Sequence, residues 1–135
     1  MRMDKGILCA IDFSAPSKSA LRWSVELAKD LHIPLTLLYA YRLQKLPHDQ
    51  AIEYKKQVDA EARQKFLKLE KEFLVDKGID YDFKSEVGFI ADRVKDHASK
   101  NETKFFVVDQ KTSMANKESF DELLKKVNVP LVIVP

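Results

Sequence analysis

Residues 9–23 read CAIDFSAPSKSALRW. An apolar run from Ile7 to Ile11 stops on Asp12; Ser14 follows, and after Ala15-Pro16 a helical period begins. A buried strand that ends on a carboxylate beside a hydroxyl fits two readings. In one, Asp12 accepts backbone N–H groups within the strand-to-helix turn. In the other, it stands at the mouth of a ligand site. Ser14 is a candidate N-cap, with Pro16 in the tolerant first turn. From Pro16 to Leu31, residues Ala20, Leu21, Ser24, Leu27, Ala28 and Leu31 share one helical face. Pro34 then discourages helical geometry at Ile33.

The same alternation continues along the chain. Further apolar runs are Leu35–Tyr41, Ile79–Val87, Phe105–Val108 and Leu131–Val134. Four of the five runs are nearly continuous and rich in β-branched or aromatic residues, as strands covered on both faces are. Ile79–Val87 alternates apolar and polar residues and suits an edge strand. The longest helical segment runs from Asp49 to Asp76, with Ala51, Val58, Ala62, Phe66, Leu69 and Phe73 as its stripe. A Glu61–Lys65 pair lies on its charged face, and Lys77-Gly78 closes it. A third helix follows Gly88, with Phe89, Ile90, Val94 and Ala98 inward. A fourth spans Lys117 to Val127, with Phe120, Leu123, Leu124 and Val127 inward. Strands alternating with helices predict a parallel sheet covered on both faces, the doubly wound α/β class. Ligands in such sheets bind beyond the carboxyl ends of the strands, where the strand order reverses.

A chain of 135 residues suits one domain, taken here as 1–135. Its 23 basic residues are nearly balanced by 21 acidic ones, which argues against nucleic acid or an anionic membrane as partner. No apolar stretch reaches the roughly 18 residues that span a bilayer, and the opening segment is too short in apolar residues for a secretory signal. The single cysteine, Cys9, lies in an apolar run and reads as a small buried hydrophobe, which fits a cytoplasmic protein.

At this level of detail the chain resembles the universal stress protein family. The matching pieces are ILCAIDFSAPSKSALRWSVELAKDL, PLTLLYAYR, EVGFIADRV, FFVVD and VPLVIVP, in that order. The resemblance implies a flavodoxin-like, Rossmann-like three-layer sandwich whose five parallel strands take the order 3-2-1-4-5. It also implies a homodimer formed by the last strands, here Val129, Leu131, Val132, Ile133 and Val134. Many members of the family bind ATP. Carried over residue by residue, their ligand site would fall on Asp12, on Ala40 at the end of strand 2, and on Val87 and Gly88 after strand 3. The family's phosphate loop after strand 4, Gly-x2-Gly-x9-Gly-Ser/Thr, has no counterpart. The three glycines are Gly6, Gly78 and Gly88, and none follows strand 4. Only Ser119 matches the closing Ser/Thr, with Glu118 where glycine is expected.

That departure has physical content. A phosphate cradle turns successive backbone N–H groups toward the anion, and those turns favour glycine. Asp109 and Glu118 would also set negative charge beside a triphosphate, although Lys111, Lys117, Thr112 and Ser113 offer groups that contact an anion. His32, His48 and His97 have no metal-ligand spacing. A receiver domain would need an acidic cluster after strand 1, and a dinucleotide-binding dehydrogenase would need G-x-G-x-x-G there; neither is present. The expectation is a stress-response regulatory or interaction module that neither holds ATP in the family mode nor acts as an enzyme, slow ATP hydrolysis being left open. No cofactor is expected, and protein partners are unassigned. The alternative is an adenine-nucleotide binder, for AMP or ATP, using the strand 1–3 half-site.

Overall fold

A computed structural model describes residues 5–43, 46–100, 102–111, 121 and 125–135. Five strands form one parallel sheet: β1 (Gly6–Ala10), β2 (Leu35–Tyr41), β3 (Tyr81–Val87), β4 (Thr103–Asp109) and β5 (Leu131–Val134). Their order is β3-β2-β1-β4-β5, as the family resemblance implies. Helices fully within the described residues include α1 (Ala15–Leu31), α2 (His48–Leu69) and α3 (Ile90–Ser99). No helix of the described residues is long and apolar enough to cross a membrane.

Every residue of β1 is buried, because the strand is central and covered on both faces. Alternate side chains of the sheet feed two cores. Ile7, Cys9, Leu35, Leu37 and Val107 pack with α1 and α2, through Leu21, Val25 and Phe66. Leu8, Ala10, Leu38, Phe106 and Val108 pack on the opposite face with Ala91 and Val94 of α3. Phe66 stacks on Phe83 with ring centroids 4.6 Å apart, tying α2 to the edge strand. As its alternation predicts, β3 is half-buried throughout.

Several helical details differ from the expected pattern. The second helix does not run unbroken to Asp76. It passes into a π-type turn, Glu70–Leu74, closed by the Val75 N–H donating to the Glu70 carbonyl at 3.0 Å. The wider turn carries the adjacent Phe73 and Leu74 both into the core. The chain then turns through left-handed Asp76 (φ 63) and Gly78 (φ 71). Leu31 is exposed, because α1 ends there on left-handed His32, whose N–H caps the Ala28 carbonyl. Glu61 accepts a hydrogen bond from Gln57, while Lys65 lies over Phe13. On α3 the buried residues are Ala91, Val94 and His97, and Ile90 is half-buried against the same core, as expected. Phe89 is not among them: it holds the extended N-cap position, outside the helical period, and is half exposed. Of the expected fourth helix, Phe120, Leu123 and Leu124 lie outside the described residues; Val127 packs on the α3 side of the sheet.

Candidate functional site

The carboxyl ends of β1, β2 and β3 meet at one rim. The Ile11 N–H donates to the Leu38 carbonyl at 3.0 Å, which holds the exit of β1 beside β2. Ala40 pairs with Glu86 and Tyr41 with Val87 across the β2–β3 ladder. The Gly88 N–H then donates to the Tyr41 carbonyl at 2.8 Å. Asp12, Ala40, Val87 and Gly88 are thus brought to the same end of the sheet, with Asp12 beside the strand-order reversal at β1. Ser119 lies outside the described residues.

Asp12 is exposed and is the hinge of a local turn. Its Oδ1 accepts the Ser14 N–H at 2.9 Å and also the Ser14 hydroxyl. Its own N–H donates to Ser17 Oγ at 3.4 Å, and that hydroxyl donates to the Ser14 carbonyl at 3.0 Å. Ser14 therefore occupies the N-cap position without a side-chain cap bond; its hydroxyl is drawn back to the charged Asp12 instead of onto the helix amides. Between them Phe13 sits at φ 65, a left-handed backbone that costs a side-chain-bearing residue roughly 1 kcal/mol or more. Its ring packs on Tyr39 and Phe83, at centroid distances of 5.1 and 6.2 Å, and Lys65 Nζ lies 5.7 Å from its centroid. Burial raises the Tyr39 phenol, and the negative fields of Tyr54, Asp12 and Glu61 raise it further.

On the same side Asp59 of α2 gathers three donors. Tyr41 Oη and Ser85 Oγ donate to its Oδ1, each at 2.8 Å, and Lys55 Nζ contacts Oδ2 at 2.7 Å. Burial works against the Asp59 charge, but the bonds from Lys55, Tyr41 and Ser85 outweigh it and hold the carboxyl below its ordinary value. Tyr41 is shifted up by burial and by that carboxylate. This hub fastens α2 to the ends of β2 and β3 and shapes the rim from behind.

On the opposite face buried His97 of α3 meets Glu86 of β3, Nε2 to Oε1, at 2.9 Å. Gly88 has φ 136, and a Cβ there would lie 3.1 Å from Arg93 Nε, so the Arg93 stem folds over the glycine. Arg42, the residue after β2, places its guanidinium 4.9 Å above the Phe89 ring. Sequence reasoning missed Arg42, Phe89 and Arg93 as rim residues. Arg42 directly follows β2 and Phe89 lies two residues after β3, a positional signal that was available. Asp59 carried no such signal, because its strand partners Tyr41 and Ser85 are 18 and 26 residues away in the chain. Among the described residues no group of three or more His, Cys, Asp or Glu side chains is placed to hold a metal ion.

The structure is similar to universal stress protein UspA from Lactobacillus plantarum, with a TM-score of 0.80 at 14% identity over 100% of both chains. It is also similar to a universal stress protein from Archaeoglobus fulgidus in complex with dAMP: TM-score 0.69, 17% identity, over 99% of this chain and 100% of that one. A universal stress protein family protein from Arabidopsis thaliana with AMP bound superposes with a TM-score of 0.63 at 13% identity, over 96% of this chain and 90% of that one. At such identities these likenesses establish the fold alone. No curated protein matches the chain. The family model described as Universal stress protein family matches residues 3–135, nearly the whole sequence, and the chain belongs to that family.

Proposed function

We propose that this chain is a regulatory or interaction module of the stress response that works without catalysis and without ATP held in a glycine phosphate loop. One observation carries the reading: no glycine follows Gly88, so the segment after β4 lacks the residues that turn backbone N–H groups onto a triphosphate. Isothermal titration with Mg-ATP tests it. The expected result is no saturable heat; stoichiometric binding at low-micromolar concentration overturns it.

A second reading is favoured by the convergence of Asp12, Ala40, Val87 and Gly88 at one rim. In this reading the half-site holds the base and ribose of an adenine nucleotide that needs no triphosphate grip, such as AMP. Similar folds carry dAMP and AMP. Mass spectrometry of gently purified, then denatured protein reads out a retained nucleotide. If none is found, and Asp12→Ala leaves thermal stability in added AMP unchanged, this reading fails.

The proposed assembly is a homodimer through β5. That strand ends the sheet order, and its sequence LVIV carries no charge, with Ile133 exposed. The opposite edge, β3, interposes Asp82, Lys84 and Glu86, charges of the kind that discourage edge pairing. Light scattering at micromolar concentration is expected to give twice the chain mass; a monomer mass refutes the dimer. The proposed compartment is the cytoplasm, where a lone buried Cys9 needs no disulfide partner.

A further inference from the structure

The rim carries a cationic corner on its β2–β3 side. Arg42 follows β2 directly, and its guanidinium stacks on Phe89. Phe89 is 50% exposed, which leaves an aromatic face open at the entrance to α3. Arg93 stands one turn further along and is tied back by its N–H to the Phe89 carbonyl at 3.1 Å. Its stem crosses Gly88, whose own N–H is fixed to the residue before Arg42. One corner therefore holds two guanidinium groups and an aromatic face, drawn from two strand ends and a helix start.

The charges around this corner are unevenly matched. Asp96 takes Arg93 Nη2 at 2.6 Å, Asp92 takes Lys126 at 3.0 Å, and Glu86 takes His97 at 2.9 Å. Each nearby carboxylate thus has its own cation or His partner. Arg42 makes no ion pair among the described residues. Arg93 Nε is buried and has no hydrogen-bond partner, a state that calls for an acceptor. Phe89 gives α3 no side-chain cap, so the first-turn amides add their dipole to the same corner.

We propose that Arg42, Phe89 and Arg93 form a binding site for an oxyanion of the phosphate class, on the β2–β3 side of the rim and away from the segment after β4. Arginine suits this chemistry. Its planar fork meets two oxyanion oxygens at once. Stacking on Phe89 holds the Arg42 plane while its N–H edge stays free. Arg93 Nε supplies the buried donor, and the glycine at position 88 is what lets its stem lie against the backbone. The bearer of the anion is either free phosphate or the monophosphate of a nucleotide. Only in the second case does the inference rest on the half-site reading above.

The test titrates the full chain with inorganic phosphate, AMP and adenosine, following amide and ring resonances by NMR. Phosphate and AMP are expected to shift Gly88 and Phe89 saturably. Arg42→Gln and Arg93→Gln are each expected to weaken both ligands about tenfold or more, as loss of a charge-assisted bond does, and to leave adenosine unaffected. Arg93→Lys keeps the charge but lacks the Nε donor, and is expected to weaken phosphate as well. Lys111→Gln, after β4, is expected to change nothing. Phosphate binding without adenosine binding upholds the oxyanion site and removes the nucleotide reading. Adenosine binding without phosphate binding removes the oxyanion site and keeps the half-site. The proposal is overturned if wild type shows no saturable phosphate or AMP binding, or if Lys111→Gln weakens AMP while Arg42→Gln does not.

Discussion

Gly88→Ala tests how the rim is built. The glycine sits at φ 136, outside the left-handed helical region that asparagine or aspartate tolerate. A side chain forced there costs about 1–3 kcal/mol of backbone strain. The added Cβ would also stand 3.1 Å from Arg93 Nε and 3.5 Å from Cδ. Those atoms belong to a long side chain that yields by a few tenths of an ångström, so the steric part is the smaller one. A loss of about 2 kcal/mol corresponds to a melting temperature lower by roughly 6–10 °C in a domain of this size. Gly78→Ala is the comparison: φ is 71 and nothing lies within 4 Å, so only about 1 kcal/mol is expected. Urea denaturation of Gly88→Ala, Arg93→Ala and the double variant measures both contributions. If backbone strain dominates, Gly88→Ala costs the same in either background, with coupling under about 0.5 kcal/mol. The reasoning is refuted if Gly88→Ala is neutral, or if Arg93→Ala abolishes its cost.

Asp59→Asn is expected to destabilise the fold by about 1–3 kcal/mol, through weakened bonds to Lys55, Tyr41 and Ser85; urea midpoints unchanged from wild type count against the hub. Because the folded Asp59 carboxyl is held below its ordinary value, its contribution is full above the unfolded value of 3.8 and is lost as pH falls through the lower folded one. Wild type should therefore lose more stability than Asp59→Asn on acidification below about pH 4. Burial pushes the Cys9 thiol up to about 12, so a thiol reagent at pH 8 should label it only on unfolding; rapid stoichiometric labelling of native protein contradicts the buried placement.

Much of the fold was legible because strand and helix leave different periods in the sequence. Leu35–Tyr41 and Leu131–Val134 fall where their runs do, since a central or apolar strand is written as a continuous run. The half-exposed β3 was legible for the complementary reason: an edge strand alternates. The helical errors arose where the period changes or stops. A π-type turn adds a residue and brings both Phe73 and Leu74 inward, and no heptad-like count anticipates that. Phe89 looked like the first inward residue of a helix, yet it occupies an extended cap position whose side chain points away from the stripe.

Asp12 shows the division most clearly. Its place at the end of the first strand, beside the strand-order reversal, was determined by local pattern and by the family resemblance. Its engagement with Ser14, and the turning of that hydroxyl away from the helix amides, needed the folded turn with Phe13 in a left-handed backbone. The sequence by itself determined the alternation of elements, the strand ends that form the rim, and the lack of glycine beyond it. Only the tertiary structure decided that Asp59 bridges two strands, that His97 meets Glu86, and that Arg42 and Arg93 share a corner around Phe89. The reason is physical: burial periodicity is repeated along the chain and can be read from it, whereas a single hydrogen bond or stacked pair joins residues far apart in sequence and leaves no repeat.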